Sequence, residues 1–164
     1  MAQGNLKNLT VRIPVLDRLI DDAPDTTREP PLPNHQALRV VIEAVRRDLQ
    51  DLLNSRQAWV DEALLEAEQA SRSILAFGLP EFTMASVSGP GKDMMERLRG
   101  SIEDAIARFE PRLVRVVVSS EPMGAHERRV RFRIDAYLRV DPVQEPVTFD
   151  TVLHAGGEAE VTAA

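Results

Sequence analysis

The segment Arg128–Val140, RRVRFRIDAYLRV, alternates without a break. Val130, Phe132, Ile134, Ala136, Leu138 and Val140 point one way, and Arg129, Arg131, Arg133, Asp135, Tyr137 and Arg139 point the other. A side-chain period of two over this length means a strand with one buried and one wet face. The chain must therefore supply strand neighbours and an apolar layer to cover one side. Glu145–His154, EPVTFDTVLH, repeats the pattern through Val147, Phe149, Thr151 and Leu153. Leu113–Ser120, LVRVVVSS, is nearly all apolar, which predicts a central or two-sided strand. The stretch AGGEAEVTAA predicts a short strand near Val161, with residues 162–164 frayed. SSEPMGAHER and DPVQEP are short enough to join antiparallel neighbours.

Two helices supply the covering layer. From Asn34, read as an N-cap, Leu38, Val41, Ile42, Val45, Leu49, Leu52 and Leu53 recur at intervals of three and four. Arg39, Arg46, Arg47, Asp48 and Asp51 fall largely on the other side, and Asn54-Ser55 marks the end. A second helix spans about Lys92 to Phe109, with Met95, Leu98, Ile102, Ala105, Ile106 and Phe109 as its stripe. Gly100 weakens it by roughly 1 kcal/mol relative to alanine, a cost that close packing there would explain. The expected class is α+β, with helices packed on one face of a small, mainly antiparallel sheet.

The remaining segments connect these elements. Residues 1–13 are polar and read as a flexible N-terminal segment. VLDRLIDD (Val15–Asp22) can form a short amphipathic turn, and the four prolines between Pro24 and Pro33 impose an extended connector. AWVDEALLEAEQA has helix-forming composition around Trp59, SRSILAFGLP reads as a short helix stopped by Gly78 and Pro80, and TMASVSGPGK reads as a loop.

Composition narrows the function. At 164 residues the chain fits one domain with a real core. The absence of cysteine excludes disulfides, thiolate metal sites and a cysteine nucleophile. No apolar run approaches the ~18 residues that predict a membrane-spanning helix. The start MAQGNLKNLTVRIP lacks the basic residues and apolar core of a signal peptide, so a cytoplasmic location is expected. His35, His126 and His154 sit in separate segments without ligand spacing, and SGPGK has neither the spacing nor the hydroxyl of a phosphate loop. No nucleophile-elbow pattern is present, and no metal or cofactor is expected.

Charge is unevenly spread. Pro111–Val140 holds seven arginines against Glu121, Glu127 and Asp135, a local +4 in a chain of net charge −6. The arginine row reads as the solvent face of a sheet or as a docking face for an acidic protein. The acidic total and the lack of interleaved aromatics argue against nucleic acid.

The segment ARFEPRLVRVVV (Ala107–Val118) joins the second helix to the first strand. Pro111 accounts for the stop, because proline lacks the donor and disfavours helical geometry before it. Glu110 is harder to place. In the last helical turn it would face the negative end of the macrodipole, at a cost of about 0.3–1 kcal/mol. A general-acid role would need a raised pKa, which Arg112 two residues away opposes. Two readings remain: a self-contained helix stop in which Arg112 offsets Glu110, or opposite charges presented to a partner on a rigid turn.

VLDRLIDD, LRVVIEAVRRDLQDLLNSR, SRSILAFGLPEFT, RLRGSIEDAIARFEPRLVRVVV and RFRIDAYLRVDPVQEPVTFDTVL, in this order, resemble the tail-lysozyme-like wedge family of contractile phage baseplates. Within that family they are similar to the TssE subunits of bacterial type VI secretion. The resemblance covers roughly residues 14–161, implying a single wedge domain, and places the family's signature triplet on Glu110, Pro111 and Arg112. It implies a non-enzymatic subunit, despite the "lysozyme" in the family label. It also implies that the triplet binds other baseplate wedge proteins (TssF, TssG, TssK), and that the subunit helps initiate polymerisation of the contractile sheath subunits. The expected setting is the cytoplasmic side of a membrane-docked baseplate. A phage-derived contractile device and, more remotely, a peptidoglycan hydrolase are the alternatives. The segments NSRQAWVDEALLEAEQA and SGPGKDMME depart from the family pattern.

Overall fold

The computed structural model describes residues 14, 15, 19, 33–58, 67–81, 92–121, 129–140, 143–154 and 157–164. Pro24, Pro30 and Pro31 of the connector, Trp59, residues 83–91 of the TMASVSGPGK segment, His126 and most of VLDRLIDD lie outside them.

Helix α1 spans Asn34–Asn54 and buries Ala37, Val41, Ala44, Val45, Leu49, Leu52 and Leu53. Five of the seven expected stripe residues are buried, Leu38 and Ile42 are half-buried against the core, and Ala37 and Ala44 join the buried side. The cap differs from expectation. Asn34 is the first helical residue and Pro33 is the cap, its carbonyl accepting from Gln36 N at 2.8 Å and Ala37 N at 3.0 Å. A four-residue helix α2 (Glu68–Ser71) and a 3-10 turn (Ile74–Ala76) follow. Helix α3 runs Lys92–Phe109, with Leu98, Ile102, Ala105 and Ile106 buried. Gly100 has no close packing among the described residues to explain it, because a Cβ placed there meets none of them within 4 Å.

Among the described residues the strands are β1 (Leu113–Glu121), β2 (Arg129–Val140), β3 (Val143–His154) and β4 (Ala159–Ala163). They pair antiparallel in the order β1-β2-β3-β4, so each strand lies beside the one that precedes it in the chain. On β2 exposure alternates at every residue as the pattern requires. The inward side chains Phe132, Ile134, Leu138, Phe149, Leu153 and Val161 meet Val45, Leu49 and Leu53 of α1 and Ile102 and Ile106 of α3 in one core. Both long helices cover the same face. The fold is α+β, with helices on one side of an antiparallel sheet.

Two strand expectations are corrected. First, β1 is an edge strand, not a central one. Its apolar run comes from a bulge between Val114 and Val117, where Arg115 takes a φ of 53°. Leu113 and Val118 are both buried although an odd number of residues apart, which only an inserted residue permits. Second, residues 162–164 are not frayed at the backbone. Thr162 and Ala163 pair with Asp150 and Phe149, and Ala164 N donates to Thr148 O at 3.0 Å.

Candidate functional site

The corner after α3 is built by main-chain bonds first. Glu110 N donates to Ile106 O at 2.8 Å, closing the helix. Leu113 N donates to Glu110 O at 3.1 Å, making a turn with Pro111 in its second position, where the fixed proline φ suits it. Arg112 O then accepts from Arg139 N at 2.7 Å, anchoring the turn to the end of β2.

Within this frame the two charges face each other. Glu110 lies just past the last helical residue, Phe109, and is only 4% exposed. Its Oε1 accepts from Arg112 Nε at 2.6 Å and from Arg112 N at 3.2 Å, and its Oε2 pairs with a terminal nitrogen of the same guanidinium. A two-point fork of this kind is among the strongest side-chain pairings. That terminal nitrogen also donates to Asp48 Oδ2 on α1 at 2.5 Å. The Glu110 hydrogen bond, and then the Glu110 and Asp48 charges, hold the Arg112 pKa above its ordinary value against the opposing effect of burial. Of the two sequence readings, the self-contained offset is therefore realised: the Glu110 carboxylate is committed inside its own chain. Pro111 is exposed, and the Arg112 side chain remains about one quarter exposed.

The corner borders a cleft of about 410 Å3 lined by Asp48, Asp51, Leu52, Phe77, Phe109, Glu110, Pro111 and Arg112. Phe77 and Phe109 meet edge to face with centroids 5.2 Å apart. Phe77 is held there by the turn that follows it. Leu79 N donates to Ser55 O at 3.0 Å, and Gln57 N donates to Leu79 O at 2.9 Å. Gly78, at φ +103°, passes so close to the end of α1 that a Cβ would lie 2.6 Å from Ser55 O. Exposed Ile74 and Leu75 sit on the 3-10 turn leading into Phe77. The site thus has an apolar floor, two aspartates on its α1 rim and one clamped guanidinium.

Sequence reasoning singled out the triplet and missed Asp48 and Phe77. Asp48 reads as one more polar residue on the wet side of α1, and no local pattern links it to a residue 64 positions away. The arginine row faces outward on β2. Arg133 Nε lies 3.2 Å from Asp150 Oδ1, and the bulged Arg115 stands 5.4 Å from the Tyr137 ring centroid. His35 is at the start of α1 and His154 at the end of β3. No helix among the described residues is long and apolar enough to cross a membrane.

A one-sided sheet beneath two helices, with its charged corner held shut by internal pairs, defines a structural α+β module built around a rigid turn. A family model described as baseplate wedge protein gp25 matches residues 39–143, and the chain belongs to this family of structural baseplate proteins. Neither the curated proteins nor the solved structures contain a match to it.

Proposed function

We propose that the chain is the TssE-type wedge subunit of a type VI secretion baseplate, with residues 14–161 acting as one wedge domain. In this reading it sits on the cytoplasmic side of a membrane-docked baseplate. It joins the wedge proteins TssF, TssG and TssK and helps initiate the contractile sheath. The clasped corner carries the reading. Glu110 neutralises and aims Arg112 from within, so Pro111 and the outer edge of the guanidinium form a contact surface of fixed shape beside an apolar cleft. Glu110 belongs to the partner-binding triplet as the residue that positions Arg112. Pre-set geometry of this kind lowers the ordering cost of association.

The test uses Pro111→Ala and Asp51→Lys, which change the exposed rim and leave the Glu110–Arg112 pair in place. Co-expressed with the other wedge subunits, both variants are expected to fold with near-native melting temperatures and to lose wedge co-purification. Wild-type capture by both would refute a docking role for the corner. A phage-derived contractile device is the alternative setting, and the family covers both. Genes for secretion-membrane components beside this one favour the first, and phage structural genes favour the second.

A further inference from the structure

The two sides of the sheet are finished differently. On the helical side the covering layer is tied down to its margin. Asn54 Nδ2 donates to Ala159 O at 2.9 Å, its Oδ1 accepts from Ala159 N at 2.7 Å, and Arg46 donates to Val161 O at 3.2 Å. On the outer side every second residue of β2 is exposed, and no described element packs there. Five arginines stand on that side: Arg115, Arg129, Arg131, Arg133 and Arg139. Among the described residues the acids beside them are Asp135, Asp150 and Glu160, so the face is cationic in a chain of net charge −6.

Two of those acids are already engaged. Asp150 Oδ1 lies 3.2 Å from Arg133 Nε, and Asp135 accepts from the Thr148 hydroxyl at 2.8 Å. Arg131 and Arg139 are exposed and meet no carboxylate among the described residues. Between them lies an apolar step. Tyr137 is 38% exposed, Pro146 is exposed directly across from it on β3, and the Arg115 guanidinium stands 5.4 Å from its ring centroid. Val117, 57% exposed, is its diagonal neighbour on β1. Tyrosine and arginine around a small apolar patch are the side chains that carry most of the binding energy where proteins meet. From Arg131 to Arg139 is about 27 Å of strand, which matches one side of a standard interface of about 800 Å2 per partner. The interleaved acids select the kind of partner. A nucleic acid or an anionic lipid surface is negative throughout and would meet Asp135, Asp150 and Glu160 as well as the arginines. A folded protein can set its carboxylates only where the unpaired guanidinium groups are.

We infer that the outer face of β2 and β3 is a second docking surface, which receives the acidic face of another assembly subunit. The partner's carboxylates pair with Arg131 and Arg139, and an apolar side chain between them covers Tyr137 and Pro146. The cleft beside the Glu110–Arg112 corner lies in the helical layer, on the other side of the sheet, so one subunit can hold two neighbours at once. This rests on the assembly role proposed above, and it adds a face and the charge of the partner that meets it.

The test reverses charge on each side of the full chain, with capture of co-expressed wedge and sheath subunits as the readout, at about 0.1 M and about 1 M salt. The outer pair is Arg131→Glu with Arg139→Glu. The control pair of equal charge change is Arg39→Glu with Arg97→Glu, at exposed positions of α1 and α3. The outer pair is expected to weaken capture on the order of tenfold at the lower salt, with an unchanged circular dichroism spectrum. The difference should shrink at the higher salt, where screening acts within about 3 Å. The control pair is expected to capture like wild type. Gln144→Glu places a carboxylate opposite Arg139 and occupies it from within the chain, so it should weaken capture several-fold; it decides the matter if the outer pair does not fold. Wild-type capture by the outer pair, an equal loss with the control pair, or a loss undiminished at the higher salt overturns this face as a charged docking surface and leaves the assembly role standing. Binding of duplex DNA or of phosphatidylserine vesicles that the outer pair abolishes overturns the choice of a protein partner. A wild-type chain that captures no wedge or sheath subunit removes the assembly role and this inference with it.

Discussion

Arg112 and Asp48, 64 residues apart in sequence, meet at 2.5 Å and tie the α3–β1 corner to the middle of α1. The same guanidinium holds the buried Glu110, so the two acids depend on it unequally. Arg112→Ala leaves a carboxylate that is 4% exposed without its cation, and should cost about 3 kcal/mol. Asp48 is nearly half exposed, and Asp48→Ala should cost less than about 1 kcal/mol. Urea denaturation of both variants checks this; equal losses would mean that Glu110 does not need Arg112. A raised arginine pKa contributes stability below its unfolded value that is lost only as pH rises through the folded one. Both lie above the range in which the protein is handled, so raising the pH from neutral to about 10 should leave this pair intact.

Gly100→Ala should stabilise the protein by about 0.5–1 kcal/mol. The glycine is inside α3, and the added methyl meets no described residue within 4 Å. The gain is the ordinary helix preference for alanine. A melting temperature below wild type would show that something packs against this position.

Thr151→Val should also stabilise. Thr151 is 2% exposed on the inner face of β3, opposite Phe132 and Val161, and its hydroxyl has no hydrogen-bond partner among the described residues. Valine keeps the shape and removes an unpaired polar group, for a gain of about 1 kcal/mol. Calorimetry should show a rise of roughly 2–4 °C; a fall would mean that the hydroxyl is bonded in solution.

The elements legible in the sequence were those whose burial follows a local period. The alternation of β2 predicted its wet face residue by residue, and the stripes of α1 and α3 predicted most of their buried positions, with Leu38, Ile42, Met95 and Phe109 only half-buried and Ala37 and Ala44 missed. What failed depends on groups distant in sequence. Apolar content could not distinguish a central β1 from a bulged edge, because the inserted residue gives both faces valines. Asn34 looked like a cap, yet Pro33 already had the extended ψ that a cap requires. Ala163 looked too close to the end to pair, but Phe149 was in register to receive it. At the site, the charges of Glu110 and Arg112 were visible and their mutual pairing was one of two open readings. Asp48 and the cleft behind them required the fold.

The pair of hydrogen bonds between Asn54 and Ala159 has a consequence for the order of events during synthesis. The sheet is a meander, so each strand can zip onto the one just made. The helix that seals its far edge emerges first, and the strand it seals emerges 105 residues later. Until then α1 has its apolar stripe made but its end residue unmatched. The ribosome must therefore deliver β4 before the domain can close, and a nascent chain halted in β3 would offer that strand as a bare edge. Completion of the last strand is the moment at which one side of the sheet stops being adhesive.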